Sequence, residues 1–125
     1  DAIVWLAEHR DVSTITGDCG FMMWFTKRAR ALCATKKPIL LSALMQLPTM
    51  IAACAPEDKI IVLTANGKSL QPMMPLIQET CGIDSMMDQI VIVGCEDVPY
   101  FGGPVEKGLK VDVEKAQPGI VAKLR

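Results

Sequence analysis

A cysteine that could serve as a base or a nucleophile stands within "TITGDCGFMMWF", residues 14–25 of the chain. A short β-pattern stops just before Cys19, and a helical pattern begins just after it. If Asp18 or Cys19 caps that helix, the amides of Gly20 and Phe21 have no partner inside it and could hold a carboxylate or an oxyanion. Cysteine is also among the most buried residue types, so packing in the core is the alternative role for Cys19.

A second polar turn, "LTANGKS", follows the clearest β-pattern of the chain. It offers the hydroxyls of Thr64 and Ser69, the amide of Asn66 and exposed backbone donors, which are neutral groups suited to orienting a small carboxylate. Asn and Ser are also the usual residues of turns and helix N-caps. The sequence therefore leaves a binding role and a purely structural role open for this turn.

The other cysteines and the single histidine give weaker signals. Cys95 ends a strand in "VGCEDVPYF", but Glu96 and Asp97 beside it would raise the pKa of its thiol, which favours a non-catalytic role. Three cysteines fall among apolar residues of predicted helices and are expected in the core: Cys33, Cys54 and Cys81. Five cysteines without a C-x-x-C pair, and one histidine, His9, argue against a disulfide framework and a zinc site. We therefore expect no metal and a reducing compartment.

Composition bounds the class of protein. The chain has 125 residues, 50% hydrophobic and 22% charged, with a formal net charge of −1, which is typical of a folded domain without a basic face for nucleic acid. An uncharged run over residues 38–56 approaches the length of a membrane span, but Gln46 and Pro48 interrupt it. A buried strand followed by a buried helix is therefore favoured. Since no signal peptide opens the chain, we expect a soluble, cytoplasmic protein without membrane or nucleic-acid partners.

Strand and helix patterns alternate along the chain. Strands are predicted in "VSTITG", "PILLSAL", "DKIIVLTA" and "DQIVIVGCE". Helices are predicted over residues 1–10, in "FMMWFTKRARALCATKK", "LPTMIAACA" and "LQPMMPLIQETCG", and from "DVEKAQPGIVAKLR" onward, whereas "DVPYFGGPVEKGLK" has the composition of a loop. This alternation predicts an α/β fold, a parallel sheet with helices on both faces. Ligands bind beyond the carboxyl ends of such strands, where Cys19 and the second polar turn both fall.

Five segments in order, "ITGDCGFMMWF", "PILLSALMQLP", "KIIVLTANGKSL", "VGCEDVPYFGGPV" and "DVEKAQPGIVA", resemble the aspartate/glutamate/hydantoin racemase superfamily. The closest branch is that of the aspartate/glutamate racemase family proteins. The resemblance implies two Rossmann- or flavodoxin-like lobes, with residues 1–45 in part of the first lobe and 46–125 in the second. It also implies that the chain is a central segment lacking both ends, because the family's second catalytic cysteine would lie beyond Arg125.

The resemblance assigns roles to individual residues. Cys19 matches the first catalytic cysteine of the family. Backbone donors beside it are matched by Gly20 and Phe21, and the segment that holds the substrate carboxylate is matched by Thr64, Ala65 and Asn66. Cofactors and metals are not expected, because in this family a thiolate removes the α-proton and a second thiol returns one to the opposite face.

The implied function is an amino-acid racemase or epimerase of the aspartate/glutamate type, for which this chain supplies the first of two cysteines. Two alternatives stay open. One is a relative that uses a single cysteine to isomerise or decarboxylate a small carboxylate, and the other is a non-catalytic fragment. The expected partner is a small amino acid or carboxylate as substrate, and homodimerisation stays open.

Overall fold

The computed structural model describes residues 2–33, 37–83 and 87–125. Within these ranges the chain is α/β, with short parallel strands separated by helices. The α-helices are α1 (Ala2–His9), α2 (Thr26–Leu32), α3 (Leu47–Ala53), α4 (Gly67–Leu70), α5 (Met74–Cys81), α6 (Gly102–Glu106) and α7 (Val113–Lys123). The strands are β1 (Ile15–Thr16), β2 (Ile39–Leu40), β3 (Ile60–Thr64) and β4 (Ile90–Gly94), and 3₁₀ helices cover Gly20–Phe25, Ala43–Gln46, Gln71–Met73 and Met87–Gln89. The predicted α/β class is confirmed.

The chain divides into two compact units. Unit 1 combines Asp1–Ala53 with Pro75–Asp84, and unit 2 combines Cys54–Met74 with Ser85–Arg125. Each unit has its own two-stranded sheet, β1 with β2 in unit 1 and β3 with β4 in unit 2. The racemase-like lobes over residues 1–45 and 46–125 stay a prediction.

The sheet of unit 1 places Ile15 opposite Ile39 and Thr16 opposite Leu40. Successive side chains of a strand point to opposite faces, and accordingly both isoleucines are buried while Thr16 and Leu40 are exposed. A buried apolar cluster forms around this pair: Ile15, Ala29, Cys33, Ile39 and Leu41. Burying each large aliphatic side chain stabilises the fold by roughly 1.5–3 kcal/mol. The cluster therefore holds β1 in place, and Cys19 follows the carboxyl end of that strand.

The sheet of unit 2 is a longer parallel ladder. Its register runs from Ile60 opposite Ile90 to Thr64 opposite Gly94. The pairing continues past β4, because the amide of Cys95 donates to the carbonyl of Thr64 at 2.9 Å. Since the carboxyl ends of the two strands are side by side, the turns that follow β3 and β4 become neighbours.

The predicted strand in "PILLSAL" is shorter than expected. Only Ile39 and Leu40 are paired, and the Ser42 Oγ accepts a hydrogen bond from the Leu44 amide at 3.2 Å, which caps the 3₁₀ helix Ala43–Gln46. The uncharged run over residues 38–56 is thus divided between β2, this 3₁₀ helix and α3. In the part of the chain that the structure describes, no helix is long and apolar enough to span a bilayer.

Two further predicted boundaries differ from the structure. The predicted loop "DVPYFGGPVEKGLK" contains α6, and its Pro104 occupies the third position of that helix, where a missing N–H breaks no intrahelical hydrogen bond. The predicted helix over residues 21–37 begins instead as the 3₁₀ helix Gly20–Phe25 and continues as α2 to Leu32. Residues 34–36 of that predicted helix lie outside the described residues.

Candidate active site

The thiol of Cys19 is exposed at the start of a helix, not buried in the core. Cys19 is the N-cap residue of the 3₁₀ helix Gly20–Phe25, with extended backbone angles, φ −88° and ψ 126°. Its side chain makes no capping hydrogen bond to that helix. The sulfur is therefore available to a ligand, and the packing alternative for Cys19 does not hold in this structure.

The backbone just before Cys19 is held close to the neighbouring strand. The amide of Gly17 donates to the carbonyl of Leu40 at 2.9 Å. A Cβ at position 17 would overlap the carbonyl oxygen of Leu41, so only glycine permits this approach. The close packing of Gly17 on Leu41 therefore fixes where the chain leaves β1, and with it the position of Asp18 and Cys19.

The first residues of the 3₁₀ helix Gly20–Phe25 are anchored by a residue that follows β2. The Ser42 Oγ donates to the carbonyl of Gly20 at 3.2 Å, and Ser42 is itself buried. Gly20 and Phe21 occupy the first two positions of the helix, where amides have no intrahelical acceptor. These two amides thus directly follow the exposed Cys19 in the chain, and their role as substrate donors stays a prediction. Ser42, which holds the carbonyl of Gly20, is a residue that the sequence interpretation missed. The position of Ser42 at the carboxyl end of β2, beside β1, could have identified it.

The second polar turn has a clear structural role. The Asn66 Oδ1 accepts a hydrogen bond from the Ser69 amide at 2.9 Å, so Asn66 caps α4. Thr64 is the last residue of β3, and both Thr64 and Ala65 are partly buried. The side-chain NH₂ of Asn66 is a donor that this cap does not use, because the cap engages only the oxygen.

Glu96 joins the two turns of unit 2, a role that the sequence interpretation missed. Its Oε2 accepts a hydrogen bond from the Gly67 amide at 3.0 Å, across 29 residues of sequence. This donated hydrogen bond holds the pKa of the Glu96 carboxyl below its usual range, with smaller contributions from its own amide and from Lys68. The sequence shows Glu96 only as a charged neighbour of Cys95, because nothing local links it to Gly67.

The remaining cysteines are less accessible than Cys19. Cys95 is 1% exposed, and burial raises the pKa of its thiol, which favours the structural role expected for it. Cys33 is buried in the apolar cluster of unit 1. Cys81 and Cys54 are half-buried, and the Cys81 Sγ contacts the carbonyl of Leu44 at 3.4 Å. Burial also raises the pKa of Cys81.

His9 is exposed, as expected, and stacks on Trp5 with a centroid distance of 5.5 Å.

The predicted site residues fall in both units. Cys19, Gly20 and Phe21 are consecutive in unit 1, and the segment of residues 64–66 belongs to unit 2, where it adjoins the turn that carries Glu96. The arrangement in unit 1 is an exposed thiol beside two backbone donors at the end of a parallel strand. Such an arrangement suits an enzyme that takes a proton from a small carboxylate.

Comparison with known proteins refines this class. The chain is 49% identical over 121 residues to dimethylsulfoniopropionate lyase 6 of Emiliania huxleyi (strain CCMP1516), a match that covers 97% of this chain and 30% of that protein. It is 48% identical over 121 residues to dimethylsulfoniopropionate lyase 3 of the same strain, again covering 97% of this chain and 30% of that protein. The dimethylsulfoniopropionate lyase of Durusdinium sp. clade D is 45% identical over 125 residues, covering 100% of this chain and 40% of that protein.

The similarity extends over only part of each relative. The chain spans 30–40% of the length of these three relatives. No protein-family model matches the chain, and no solved structure matches it significantly. The similarity is thus to a part of each of these proteins, which are named as lyases.

The prediction of an aspartate/glutamate racemase is wrong. The curated relatives that match nearly the whole chain are named as lyases, and neither a racemase nor an isomerase is supported. The alternative of a one-cysteine relative acting on a small carboxylate fits these names better. The physical reason for the error is that a thiol beside backbone donors suits any reaction that begins with proton removal next to a carboxylate, so these motifs do not fix the reaction.

Proposed function

We propose that the protein is a lyase that cleaves a sulfonium carboxylate of the dimethylsulfoniopropionate type, with Cys19 as the base. The observation that carries this proposal is the 45–49% identity, over nearly the whole chain, to relatives that bear that activity in their names. The exposed thiol of Cys19 supplies a chemically suitable group within the matched segment.

The reaction is a β-elimination that needs no co-reactant. The Cys19 thiolate takes a proton from the carbon next to the substrate carboxylate. The electron pair of that C–H bond forms a double bond to the neighbouring carbon, and the bond from that carbon to the sulfonium sulfur breaks. The sulfur leaves with the bond's electron pair as neutral dimethyl sulfide, and propenoate remains. The proton on the Cys19 thiol then passes to solvent, which restores the thiolate.

Backbone donors lower the cost of this proton removal. As the proton leaves, negative charge spreads onto the carboxylate oxygens, where fixed hydrogen-bond donors stabilise it. The amides of Gly20 and Phe21 are the donors proposed for this role, since they open the helix that Cys19 caps. Ser42 holds the carbonyl of Gly20 and so fixes the direction of the adjoining peptide. Ser42 is in this sense a positioning residue.

The segment of Thr64, Ala65 and Asn66 stays a proposed carboxylate-binding segment of unit 2. The Asn66 Oδ1 is engaged by Ser69, so the donor that Asn66 could offer a carboxylate is its NH₂ group. Glu96 secures the next amide, that of Gly67, and thereby holds the turn in its present form.

Release of dimethyl sulfide from dimethylsulfoniopropionate, followed by gas chromatography, tests the proposal. The Cys19→Ser variant should lose on the order of 10²–10⁴ in kcat, the usual contribution of a positioned general base. Cys54→Ser is the matched control, because Cys54 is a half-buried cysteine without a proposed role, and its variant should retain activity. A wild-type protein that releases no dimethyl sulfide would refute the function, and an active Cys19→Ser variant would refute the role of Cys19.

A further inference from the structure

Two aromatic rings of the 3₁₀ helix that follows Cys19 carry no protein cation in the part of the chain that the structure describes. Among the exposed rings, Trp5 already carries the Arg10 guanidinium 5.0 Å from its centroid, and Tyr100 carries the Lys115 ammonium at 5.5 Å. Two other rings line apolar cavities: Phe25 in unit 1 and Phe101 in unit 2. Phe21 and Trp24 are the two aromatic residues that remain.

The 3₁₀ helix Gly20–Phe25 puts these two rings on one face. A 3₁₀ helix has three residues per turn, so side chains at i and i+3 are eclipsed. Burial follows this period, since Met23 and Thr26, three residues apart, are each 1% exposed and face the core. Phe21 and Trp24 therefore share a different face. Phe21 is partly buried and Trp24 is 59% exposed.

We propose that the face formed by Phe21 and Trp24, together with the carboxylate of Asp18, binds the sulfonium cation of the substrate. This inference rests on the proposed lyase function and deepens it. A cation within about 6 Å of an aromatic centroid is attracted by the ring's negative face, and tryptophan is the most effective residue for this contact. Asp18 is exposed and precedes Phe21 by three residues, so it adds a negative charge close to the start of this helix. In the part of the chain that the structure describes, no ion pair or ring contact occupies Asp18, Phe21 or Trp24.

The position of this face relative to the base matches the substrate. In dimethylsulfoniopropionate the sulfur is two bonds from the carbon that loses its proton, so the group that binds the cation must lie beside the base. Phe21 follows Cys19 by two residues, a separation that the backbone can span by at most about 7 Å. The three residues from Asp18 to Phe21 span at most about 10 Å. These short separations along the chain allow one bound cation to contact both the Phe21 ring and the Asp18 carboxylate.

The effects on KM and kcat distinguish cation binding by these rings from a purely structural role. The positive charge disappears as the carbon–sulfur bond breaks, so the rings bind the ground state at least as tightly as the transition state. Removing the ring of Trp24 should therefore raise KM for dimethylsulfoniopropionate by about two- to thirty-fold without lowering kcat. Trp24→Phe retains a ring and should recover most of this loss. Asp18→Asn should raise KM by only a few-fold, because an exposed charge is well screened.

The test uses Trp24→Leu, with Trp5→Leu as the matched control. Trp5 is also an exposed tryptophan of unit 1, 47% exposed, but Arg10 already covers its ring. Two unreactive ligands isolate the cation, and both are titrated calorimetrically into the full-length protein. The first is 3-(trimethylammonio)propionate, which carries a positive charge at the position of the sulfonium. The second is 4-methylpentanoate, in which an uncharged carbon replaces the sulfonium sulfur.

We expect the wild type and Trp5→Leu to prefer the cationic ligand, and Trp24→Leu to weaken that preference by about two- to thirty-fold. Equal loss in both tryptophan variants, or a wild type that binds the two ligands equally, would overturn the proposed cation face. These binding measurements do not depend on turnover. A protein that prefers the cationic ligand but releases no dimethyl sulfide would overturn the lyase function and leave the cation face standing.

Discussion

The close packing after β4 leaves no room for a side chain at Gly102. Alanine substitutions at Gly102 and at its neighbour Gly103 test this. A Cβ added at Gly102 would overlap the carbonyl group of Glu96 and lie 2.9 Å from the Cα of the same residue. Backbone atoms cannot rotate away as a side chain can, so α6 would have to move. The neighbouring Gly103 has open space at its Cβ position, with nothing within 4 Å.

The expected effect of Gly102→Ala has two parts. Forcing an extra carbon into a filled space costs about 1–3 kcal/mol. Moving the start of α6 also endangers the hydrogen bond from the Gly102 amide to the Val98 carbonyl, now 3.0 Å, for a further cost of about 0.5–1.5 kcal/mol. The free energy of unfolding should therefore fall by about 2–4 kcal/mol. Gly103→Ala should instead stabilise the protein by up to about 1 kcal/mol, because alanine favours a helix more than glycine does.

Urea-induced unfolding followed by circular dichroism measures both variants. The midpoint should shift to lower urea for Gly102→Ala and to equal or higher urea for Gly103→Ala, with little change in the slope of either transition. Because the two alanines differ by one position in the same helix, propensity alone cannot give them opposite signs. A Gly102→Ala midpoint equal to that of the wild type would show that Glu96 and Gly102 do not approach as closely as described.

Two further predictions concern the titratable groups of unit 2. Because the Gly67 N–H holds the pKa of Glu96 below its usual range, this hydrogen bond stabilises the fold at neutral pH, and its contribution is lost as pH falls through the folded-state pKa. Glu96→Gln should flatten the acid side of the stability curve, measured by urea unfolding between about pH 3 and 7, and an unchanged curve would contradict this. Burial raises the pKa of Cys95, so iodoacetamide should label Cys19 in the native protein but Cys95 only after unfolding. Peptide mass spectrometry distinguishes the two sites, and native labelling of Cys95 would refute its burial.

Local signals in the sequence were enough for the fold class and for the place of the candidate thiol. The apolar strand patterns predict β3 and β4, which pair over five residues. The glycines around Cys19, with a strand pattern before it and a helical pattern after it, place the cysteine at a strand-to-helix turn, as the structure has it. Local composition gave a wrong prediction at α6, where a loop was expected. Two glycines and a proline are typical of loops, but they are also tolerated in the first turn of a helix.

The reaction could not be predicted from these local motifs. They describe a thiol, two adjacent amides and a polar turn, and these groups serve proton removal next to a carboxylate whether or not a leaving group follows. The groups that would distinguish a sulfonium substrate are aromatic residues, and in the sequence Phe21 and Trp24 are indistinguishable from core residues. Their separation by three residues gains meaning only because this segment is a 3₁₀ helix that buries Met23.

The sequence by itself determined the α/β alternation and the strand-to-helix turn at Cys19, because each depends on residues a few positions apart. Only the tertiary structure decided that Ser42 holds Gly20 across 22 residues and that Glu96 holds Gly67 across 29 residues. Both contacts depend on the parallel pairing of strands far apart in the chain. That pairing depends on the burial of apolar side chains. Because burial stabilises contact between any two apolar surfaces, the local sequence of a strand does not show which other strand it pairs with.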